Sequence, residues 1–344
     1  MIKAGIIGAT GYAGAELCRL LFAHPDVEIA AVSSVSFEGQ ALSEIYPAYR
    51  GFLDNVCTTQ EAVIEAADVV FAALPHGLSE PLAEECRKKG RIFIDLGADF
   101  RLESEESYRA WYGLSYAYPE LHKEVVYGLP ELFRSEIKGK TIVANPGCYT
   151  TAVPLVLVPA LRAGLIESHG IIADCKSGVT GAGRGLSQTT HFADLNEGFA
   201  AYKVATHRHT PEIEQTLTRC VGEEIKLTFV PHLLPINRGI LATCYATLKP
   251  GVTEEQLRET YEATYAGEFF VRLLPKGRTA DVKAVRCSNF CDISLHTDEH
   301  TGTFIAISTL DNMVKGAAGQ AIQNMNILCG LEESAGLRAL PPAF

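Results

Sequence analysis

A glycine-rich segment near the amino terminus constrains the fold of this chain more than any other feature. Residues 8–14 (GATGYAG) follow a short apolar stretch at residues 2–7 and precede an amphipathic stretch at residues 15–23. Glycines between a strand and a helix let the backbone turn tightly and approach a pyrophosphate, which the helix N terminus then binds. The spacing is G-x-x-G-x-x-G rather than G-x-G-x-x-G, so the prediction of dinucleotide binding depends on this strand-to-helix context.

The alternation of strands and helices continues through the first third of the chain. Apolar, β-rich stretches recur at residues 27–32, 68–74, 91–96 and 141–144, and residues 79–89 have a helical pattern. Alternating strands and helices predict βαβ units with a parallel sheet and right-handed crossovers. We therefore predict a doubly wound, Rossmann-type α/β domain.

The pattern changes after residue 148. An apolar helix is predicted at residues 150–163 and a strand at 171–176, and four longer β-rich stretches follow at 225–233, 239–248, 287–296 and 303–309. Strands with short connections predict antiparallel or mixed pairing. Helical patterns at residues 211–221 and 254–265 would cover one face of this sheet.

The last predicted helix, residues 314–328, has one apolar face and is expected to return to the first domain. A length of 344 residues also suits two domains. We predict a dinucleotide-binding domain at residues 1–147 and 313–344. Residues 148–312 would form an α+β catalytic, substrate-binding and oligomerisation domain with a mixed sheet.

Composition and charge narrow the class of function. The formal net charge of -11 argues against binding to nucleic acid or to an anionic membrane surface. No apolar stretch is long enough to span a membrane, and the first residues lack the features of an export signal, so we expect a cytoplasmic protein. The ten cysteines form no C-x-x-C pair, so neither a metal site nor a disulfide framework is expected.

The end of the second predicted strand bears on the choice of cofactor. NAD-binding folds usually carry an acidic residue there, whereas this strand ends with Val32, Ser33 and Ser34. Hydroxyls without a carboxylate favour the 2′-phosphate of NADP. No arginine follows these serines.

A candidate nucleophile lies between a strand and the apolar helix, in residues 145–149 (NPGCY). Proline and glycine end the strand, and Cys148 then lies at the start of the helix, where the dipole favours a thiolate. The alternative is a small buried residue. The position at the carboxyl edge of the sheet, where ligands bind, favours the nucleophile.

Two further segments are candidates for the same site. In residues 206–212 (THRHTPE), His207 and His209 precede a helix that Thr210 would cap, with Pro211 at its first position. This arrangement suits an acid/base group and an anion clamp, and the alternative is a solvated basic loop. Residues 177–184 (SGVTGAGR) would allow close approach of a nicotinamide or an acyl phosphate, or would form a flexible surface loop.

Taken together, these motifs resemble the longer form of the N-acetyl-gamma-glutamyl-phosphate reductase family. The resemblance runs through nearly the whole chain and rests on residues 8–14, 74–77 (LPHG), 95–102 (DLGADFRL), 127–132 (YGLPEL), 145–149, 177–184, 207–213 (HRHTPEI) and 311–321 (DNMVKGAAGQA). It implies an NADP-dependent acyl-phosphate reductase of arginine biosynthesis. This enzyme would reduce N-acetyl-gamma-glutamyl phosphate to N-acetylglutamate 5-semialdehyde and phosphate through a thioester, without a metal, as a homodimer or homotetramer.

The resemblance also implies roles for individual residues. Cys148 matches the nucleophile and His209 the general acid/base. The residues that would position the substrate or orient the histidine are His207, Arg101, Tyr202 and Glu212. The residues that would line the NADP site are Gly8, Ala9, Thr10, Gly11, Tyr12, Ala13, Gly14, Ser33, Ser34, Pro75, Ser177, Gly178 and Asn312.

Two other functions remain open at this point. A paralogue that reduces an aminoadipate-type phosphate in lysine synthesis would share the motifs, and a non-catalytic NADP-sensing regulator would share the fold. Aspartate-semialdehyde dehydrogenases share the chemical logic, but HRHTPEI is not a feature that we associate with them. Intact Cys148 and His209 argue against the regulator.

Overall fold

The computed structural model describes residues 1–344, and the chain divides into two compact units. The first unit comprises Met1–Pro146 and Ala317–Arg338. The second comprises Gly147–Gly316 and Ala339–Phe344. None of the helices combines the length and the apolar character needed to cross a bilayer.

Each unit contains seven strands. Those of the first unit are β1 (Ile2–Ile7), β2 (Val27–Ser33), β3 (Cys57–Thr58), β4 (Val69–Ala72), β5 (Ile92–Asp95), β6 (Val126–Tyr127) and β7 (Ile142–Ala144). Those of the second unit are β8 (Ile171–Gly178), β9 (Ala200–Ala201), β10 (Leu227–Leu234), β11 (Ile240–Thr247), β12 (Val271–Leu273), β13 (Cys291–Asp298) and β14 (Thr303–Leu310).

Eleven α-helices connect and cover these strands. In chain order they are α1 (Tyr12–Phe22), α2 (Leu42–Ile45), α3 (Gln60–Ala66), α4 (Ser79–Lys88), α5 (Glu105–Tyr112), α6 (Pro130–Ile137), α7 (Cys148–Arg162), α8 (Phe192–Leu195), α9 (His209–Val221), α10 (Glu254–Thr264) and α11 (Gly319–Leu328). Helices α7 to α10 belong to the second unit and the others to the first.

The sheet of the first unit is entirely parallel, with the strand order β3-β2-β1-β4-β5-β7-β6. The chain moves outward from β1 to β3 and then crosses to β4 on the other side of β1. This topology confirms the predicted doubly wound α/β fold. The change of direction between β1 and β4 creates a crevice at the carboxyl ends of the strands, where such sheets bind ligands.

The sheet of the second unit is mixed, as predicted, with the order β12-β13-β14-β11-β8-β10-β9. Strand β8 pairs in parallel with β10 and antiparallel with β11. Helices α7, α9 and α10 pack on one face. Every residue of α7 from Tyr149 to Leu161 is buried, which explains why its sequence is apolar on all sides.

Two predicted elements differ in their details. The helix predicted at residues 314–328 is a π-helical turn, Val314–Ala318, followed by α11. The Gly316 N–H donates to Asp311 O, five residues earlier, which widens this turn. The strand predicted at residues 287–296 begins only at Cys291, because Cys287 has a left-handed backbone with φ +62°.

Candidate active site

The glycine loop of the first unit is shaped by steric demands at two of its three glycines. Gly8 has φ +83°, and a Cβ placed on it would lie 2.4 Å from Ala73 O. A Cβ on Gly14 would lie 2.2 Å from Gly8 O. At Gly11 the nearest atom would be 3.5 Å away, an ordinary contact, so the chain itself does not require glycine there. The bare backbone at Gly11 leaves room for a ligand.

The groups around this loop fit a dinucleotide. Helix α1 begins within this segment, at Tyr12, and Gly11 before it provides no side-chain cap, so its first N–H groups are available to a phosphate. The Gly8 N–H donates to Ser33 O at 3.0 Å, which joins the loop to the end of β2. Thr10 Oγ1 lies 2.6 Å from Ser34 Oγ, and the buried Ser33 Oγ has no hydrogen-bond partner within the chain. The end of β2 thus offers hydroxyls and no carboxylate.

Two other predicted residues lie in the first unit. Pro75 follows β4, next to the crevice between β1 and β4. Arg101 follows β5, is largely buried, and donates from Nη2 to Leu96 O at 2.7 Å. Burial raises the pKa of the neighbouring Asp95 carboxyl to about 7, and Asp99 adds to the rise while Arg101 opposes it.

In the second unit, Cys148 is the first residue of α7, as predicted. Gly147 precedes the helix and provides no side-chain cap. Cys148 is partly exposed, whereas Cys175 and Cys244 are fully buried. A thiol at this position lies in the positive field of a long helix and remains accessible, which suits a nucleophile.

A buried carboxylate joins the first turn of α7 to α9. Glu212 is completely buried, and its Oε1 accepts hydrogen bonds from the Gly147 N–H at 3.3 Å and from Thr150 Oγ1 at 2.7 Å. Glu212 lies one helical turn after His209 on the same helix. These contacts favour a role in fixing the turn that carries Cys148 over direct contact with a substrate.

The two predicted histidines lie together, next to the residue that follows Cys148. The centroids of the His207 and His209 rings are 4.8 Å apart, and both lie within 6 Å of the Tyr149 ring, at 5.7 Å and 5.9 Å respectively. The Tyr149 hydroxyl is 3.3 Å from that of Tyr202. Tyr149 was not among the predicted site residues, although its position directly after Cys148 was a signal.

The two tyrosine hydroxyls and the His207 imidazole are neutral at neutral pH. Burial raises the pKa of Tyr202 to about 12, and Cys148 contributes to the rise. Burial lowers the pKa of His207 to about 2, and the charges of His209 and Lys203 lower it further. His207 Nδ1 accepts the His209 N–H at 3.1 Å, so its proton resides on Nε2. His207 therefore offers a neutral donor rather than a charged anion clamp.

The predicted capping of α9 is wrong. The helix begins at His209, and its capping position is occupied by Arg208 without a side-chain hydrogen bond. Thr210 lies within the helix, and Pro211 is its third residue. The reason is that the imidazole of His207 accepts the first N–H group, so no hydroxyl is needed.

The remaining predicted residues surround the end of β8. This strand runs through Ser177 and Gly178, two residues further than predicted, and a 3₁₀ turn follows. The Asn312 side chain donates to Thr180 Oγ1 at 2.9 Å and accepts the Gly239 N–H at 2.8 Å. Asn312 thus fixes the backbone around this turn.

Comparison with known proteins identifies the family. The chain is 53% identical to N-acetyl-gamma-glutamyl-phosphate reductase of Clostridium botulinum and 54% identical to that of Clostridium beijerinckii, in both cases over the full length of both chains. The chain belongs to the N-acetyl-gamma-glutamyl-phosphate reductase family. The Brachyspira hyodysenteriae reductase, 53% identical over the full length of both chains, supports the same assignment.

Two domain families match separate parts of this reductase-family chain, and these parts correspond to its two structural units. Residues 3–140 match the semialdehyde dehydrogenase NAD-binding domain, and residues 148–312 match the semialdehyde dehydrogenase dimerisation domain. The fold resembles aspartate semialdehyde dehydrogenase II of Vibrio cholerae, with a TM-score of 0.74 and 17% identity over 96% of this chain and 98% of that one. The Candida albicans enzyme solved with NADP has a TM-score of 0.71 at 17% identity, covering 95% of this chain and 98% of that one.

Proposed function

We propose that this protein reduces N-acetyl-gamma-glutamyl phosphate to N-acetylglutamate 5-semialdehyde and phosphate with NADPH, as a step of arginine biosynthesis. The names of relatives that match over their whole length support this reaction. The observation that carries its mechanism is the position of Cys148 as the first residue of α7, in the same unit as the paired histidines.

Cys148 would act as the nucleophile. Its thiolate attacks the carbon of the acyl phosphate, the C–O bond to phosphate breaks, and inorganic phosphate leaves a thioester on Sγ. NADPH supplies the hydride that reduces this thioester. The C–S bond of the resulting thiohemiacetal then breaks, which releases the aldehyde and restores the thiolate. The Cys148 N–H, at the start of the helix, is available to the oxyanion that forms in each half-reaction.

His209 would move the protons of both half-reactions. The His207 ring accepts the backbone N–H of His209, which fixes the start of α9, and as a neutral imidazole it leaves the acid/base role to its neighbour. We assign Tyr202 and Arg101 to the substrate's charged groups. Glu212 supports the cysteine turn.

The cofactor would be held mainly by the first unit. We assign its pyrophosphate to the loop of residues 8–14 and its 2′-phosphate to the end of β2, at Ser33 and Ser34. Pro75 would line the crevice. Ser177, Gly178 and Asn312 are assigned to the nicotinamide side, where Asn312 would act by fixing the backbone.

The decisive experiment measures the reverse reaction. The purified protein should reduce NADP when supplied with N-acetylglutamate semialdehyde and inorganic phosphate together, and should not do so without phosphate. Cys148→Ala should lose turnover while it keeps NADPH binding, because both half-reactions pass through the sulfur. Cys220→Ala, which also removes a partly exposed thiol from the second unit, is the matched control and should retain activity.

The outcome separates this proposal from the alternatives. Substantial turnover by Cys148→Ala would contradict the thioester route. NADPH binding without any aldehyde oxidation would indicate a sensor. Activity confined to an aminoadipate-type substrate on a carrier protein would indicate the lysine-pathway paralogue.

We also propose that the second unit forms a homo-oligomer through the face of its sheet that α7, α9 and α10 leave uncovered. Ile172, Tyr245 and Ile305 are adjacent on this face of three neighbouring strands and remain partly exposed. A dimer is the simplest assembly that would bury them, and the match to a dimerisation domain supports it. The cytoplasmic location expected from the sequence stays a prediction.

A further inference from the structure

The first unit contains a buried carboxylate that the proposed chemistry does not use. Asp99, which is 1% exposed, accepts three hydrogen bonds. Its Oδ1 accepts the Gly77 N–H at 2.5 Å and the Tyr108 hydroxyl at 3.0 Å, and its Oδ2 accepts the Ser79 N–H at 2.8 Å. A charge buried at this depth is tolerated because donors surround both oxygens.

One of these donors, the Gly77 N–H, belongs to the turn that joins β4 to α4, residues 73–78, and the Ser79 N–H belongs to the first residue of α4, directly after it. This turn begins beside the glycine loop, because Gly8 packs against the Ala73 carbonyl so closely that no Cβ would fit. The turn therefore forms one wall of the crevice between β1 and β4. Gly77 within it has φ +90°, a conformation that is strained for other residues, and the bond to Asp99 fixes it.

A second acidic residue, Asp95, binds the start of α4 but makes no hydrogen bond to the turn of residues 73–78. Asp95, fully buried at the end of β5, accepts Ser79 Oγ at 2.6 Å and the Gly97 N–H at 2.9 Å. Asp95 thus holds the first residue of α4, whereas Asp99 holds both that residue and Gly77. Asp99 is the only one of the two that controls the path of the turn.

We propose that Asp99 is a positioning residue for NADP, which holds the turn of residues 73–78 in the conformation that receives the cofactor. This inference rests on the proposed function, because it takes the crevice between β1 and β4 to be the NADP site. A carboxylate is required since each of its oxygens faces a backbone N–H. An asparagine would have to direct its NH₂ group at one of these donors and would release that part of the turn.

The test compares Asp99→Asn with the unaltered protein. We expect NADPH affinity to fall about tenfold, which corresponds to losing one buried hydrogen bond at the turn. The value of kcat at saturating NADPH should stay within about twofold, and KM for the acyl phosphate should not change, because the variant disturbs cofactor binding alone. Fluorescence titration with NADPH gives the affinity, and steady-state kinetics give the other two values.

Two further variants make the result interpretable. Tyr108→Phe removes the third donor but leaves both backbone bonds, so its NADPH affinity should remain that of the unaltered protein. Gly77→Ala disturbs the turn from the opposite side while it keeps Asp99, and should also weaken NADPH binding. If Asp99→Asn fails to fold, unchanged NADPH affinity in Gly77→Ala would overturn the proposal, because it would show that cofactor binding does not depend on the conformation of this turn.

The possible failures are distinguishable. If the unaltered protein does not bind NADPH, the proposed function fails. If it binds NADPH and folded Asp99→Asn binds NADPH equally well, the positioning role of Asp99 is overturned. If Asp99→Asn lowers kcat and thermal stability but leaves NADPH affinity unchanged, the positioning role is also overturned, because that pattern indicates only general damage to the fold.

Discussion

At the scale of single residues, Gly316 shows how closely the backbone approaches Cys148, the proposed nucleophile. A Cβ placed on Gly316 would lie 2.8 Å from Cys148 Cβ and 3.1 Å from its Cα. Real Cβ atoms do not approach this closely, so any side chain at residue 316 must displace the cysteine or the π-helical turn.

We predict that Gly316→Ala lowers kcat by about tenfold or more, because a small displacement of a reacting atom is costly. NADPH affinity should stay unchanged, since the glycine loop of residues 8–14 is untouched. Steady-state kinetics and an NADPH titration provide the measurement. Gly185→Ala is the control, because a Cβ there would meet nothing within 4 Å. A Gly316→Ala enzyme with full turnover would show that the contact does not position Cys148.

His207 predicts a pH dependence of stability. Its pKa is lowered from 6.5 to about 2, first by burial and then by nearby positive charge, so the folded protein keeps it neutral. Below about pH 6.5 the unfolded chain binds a proton that the folded protein does not, and stability is lost as the pH falls. This one group would contribute at most about 1.4 kcal/mol per pH unit to that loss.

His207→Gln should therefore flatten the fall in the free energy of unfolding between neutral and mildly acidic pH. Urea denaturation at several pH values measures this slope. His300→Gln removes an exposed histidine and should leave the slope as it is. An unchanged slope in His207→Gln would mean that the imidazole titrates normally.

At the scale of elements, α7 contains two internal prolines, Pro154 and Pro159, yet remains a continuous buried helix. Pro159 cannot donate to Leu155 O, four residues earlier, and the Tyr265 hydroxyl donates to that carbonyl instead. Tyr265 follows α10, so packing of α10 on α7 replaces the missing helical bond. Without this donor, a carbonyl would be buried without a partner.

We predict that Tyr265→Phe lowers the free energy of unfolding by about 1–3 kcal/mol, the cost of one unsatisfied buried carbonyl. Chemical denaturation measures the difference. Tyr118→Phe, at an exposed position, should change stability little. If the two variants were equally stable, the hydrogen bond from the Tyr265 hydroxyl to Leu155 O would not stabilise α7.

At the scale of the whole molecule, the partly exposed apolar face of the mixed sheet predicts self-association. Ile172 is 42% exposed on this face. Ile172→Glu would place a charge in the proposed interface and should convert the oligomer to smaller species. Sedimentation or light scattering measures the mass. Leu186→Glu, at a fully exposed loop position, should not change it. A monomeric unaltered protein would contradict the proposed assembly.

The elements that were predicted well from the sequence are those with strong local patterns. The parallel strands β1, β4 and β5 are largely buried, and their continuous apolar stretches could be recognised directly, whereas β2 is only partly buried. The two-residue strands β3, β6 and β9 were not predicted, because so short a segment has no periodicity. Their pairing depends on neighbours distant in the chain.

The sequence by itself determined the doubly wound fold of the first unit, the mixed sheet of the second, and the position of Cys148 at the start of α7. Glycine spacing, apolar periodicity and a Pro-Gly pair act within a few residues, so they can be recognised from the sequence alone. Only the tertiary structure decided that Glu212 binds the cysteine turn, that His207 replaces Thr210 at the start of α9, and that Asp99 holds Gly77. The partners in those contacts come from separate segments or local turns, and burial decides which hydrogen bonds must form.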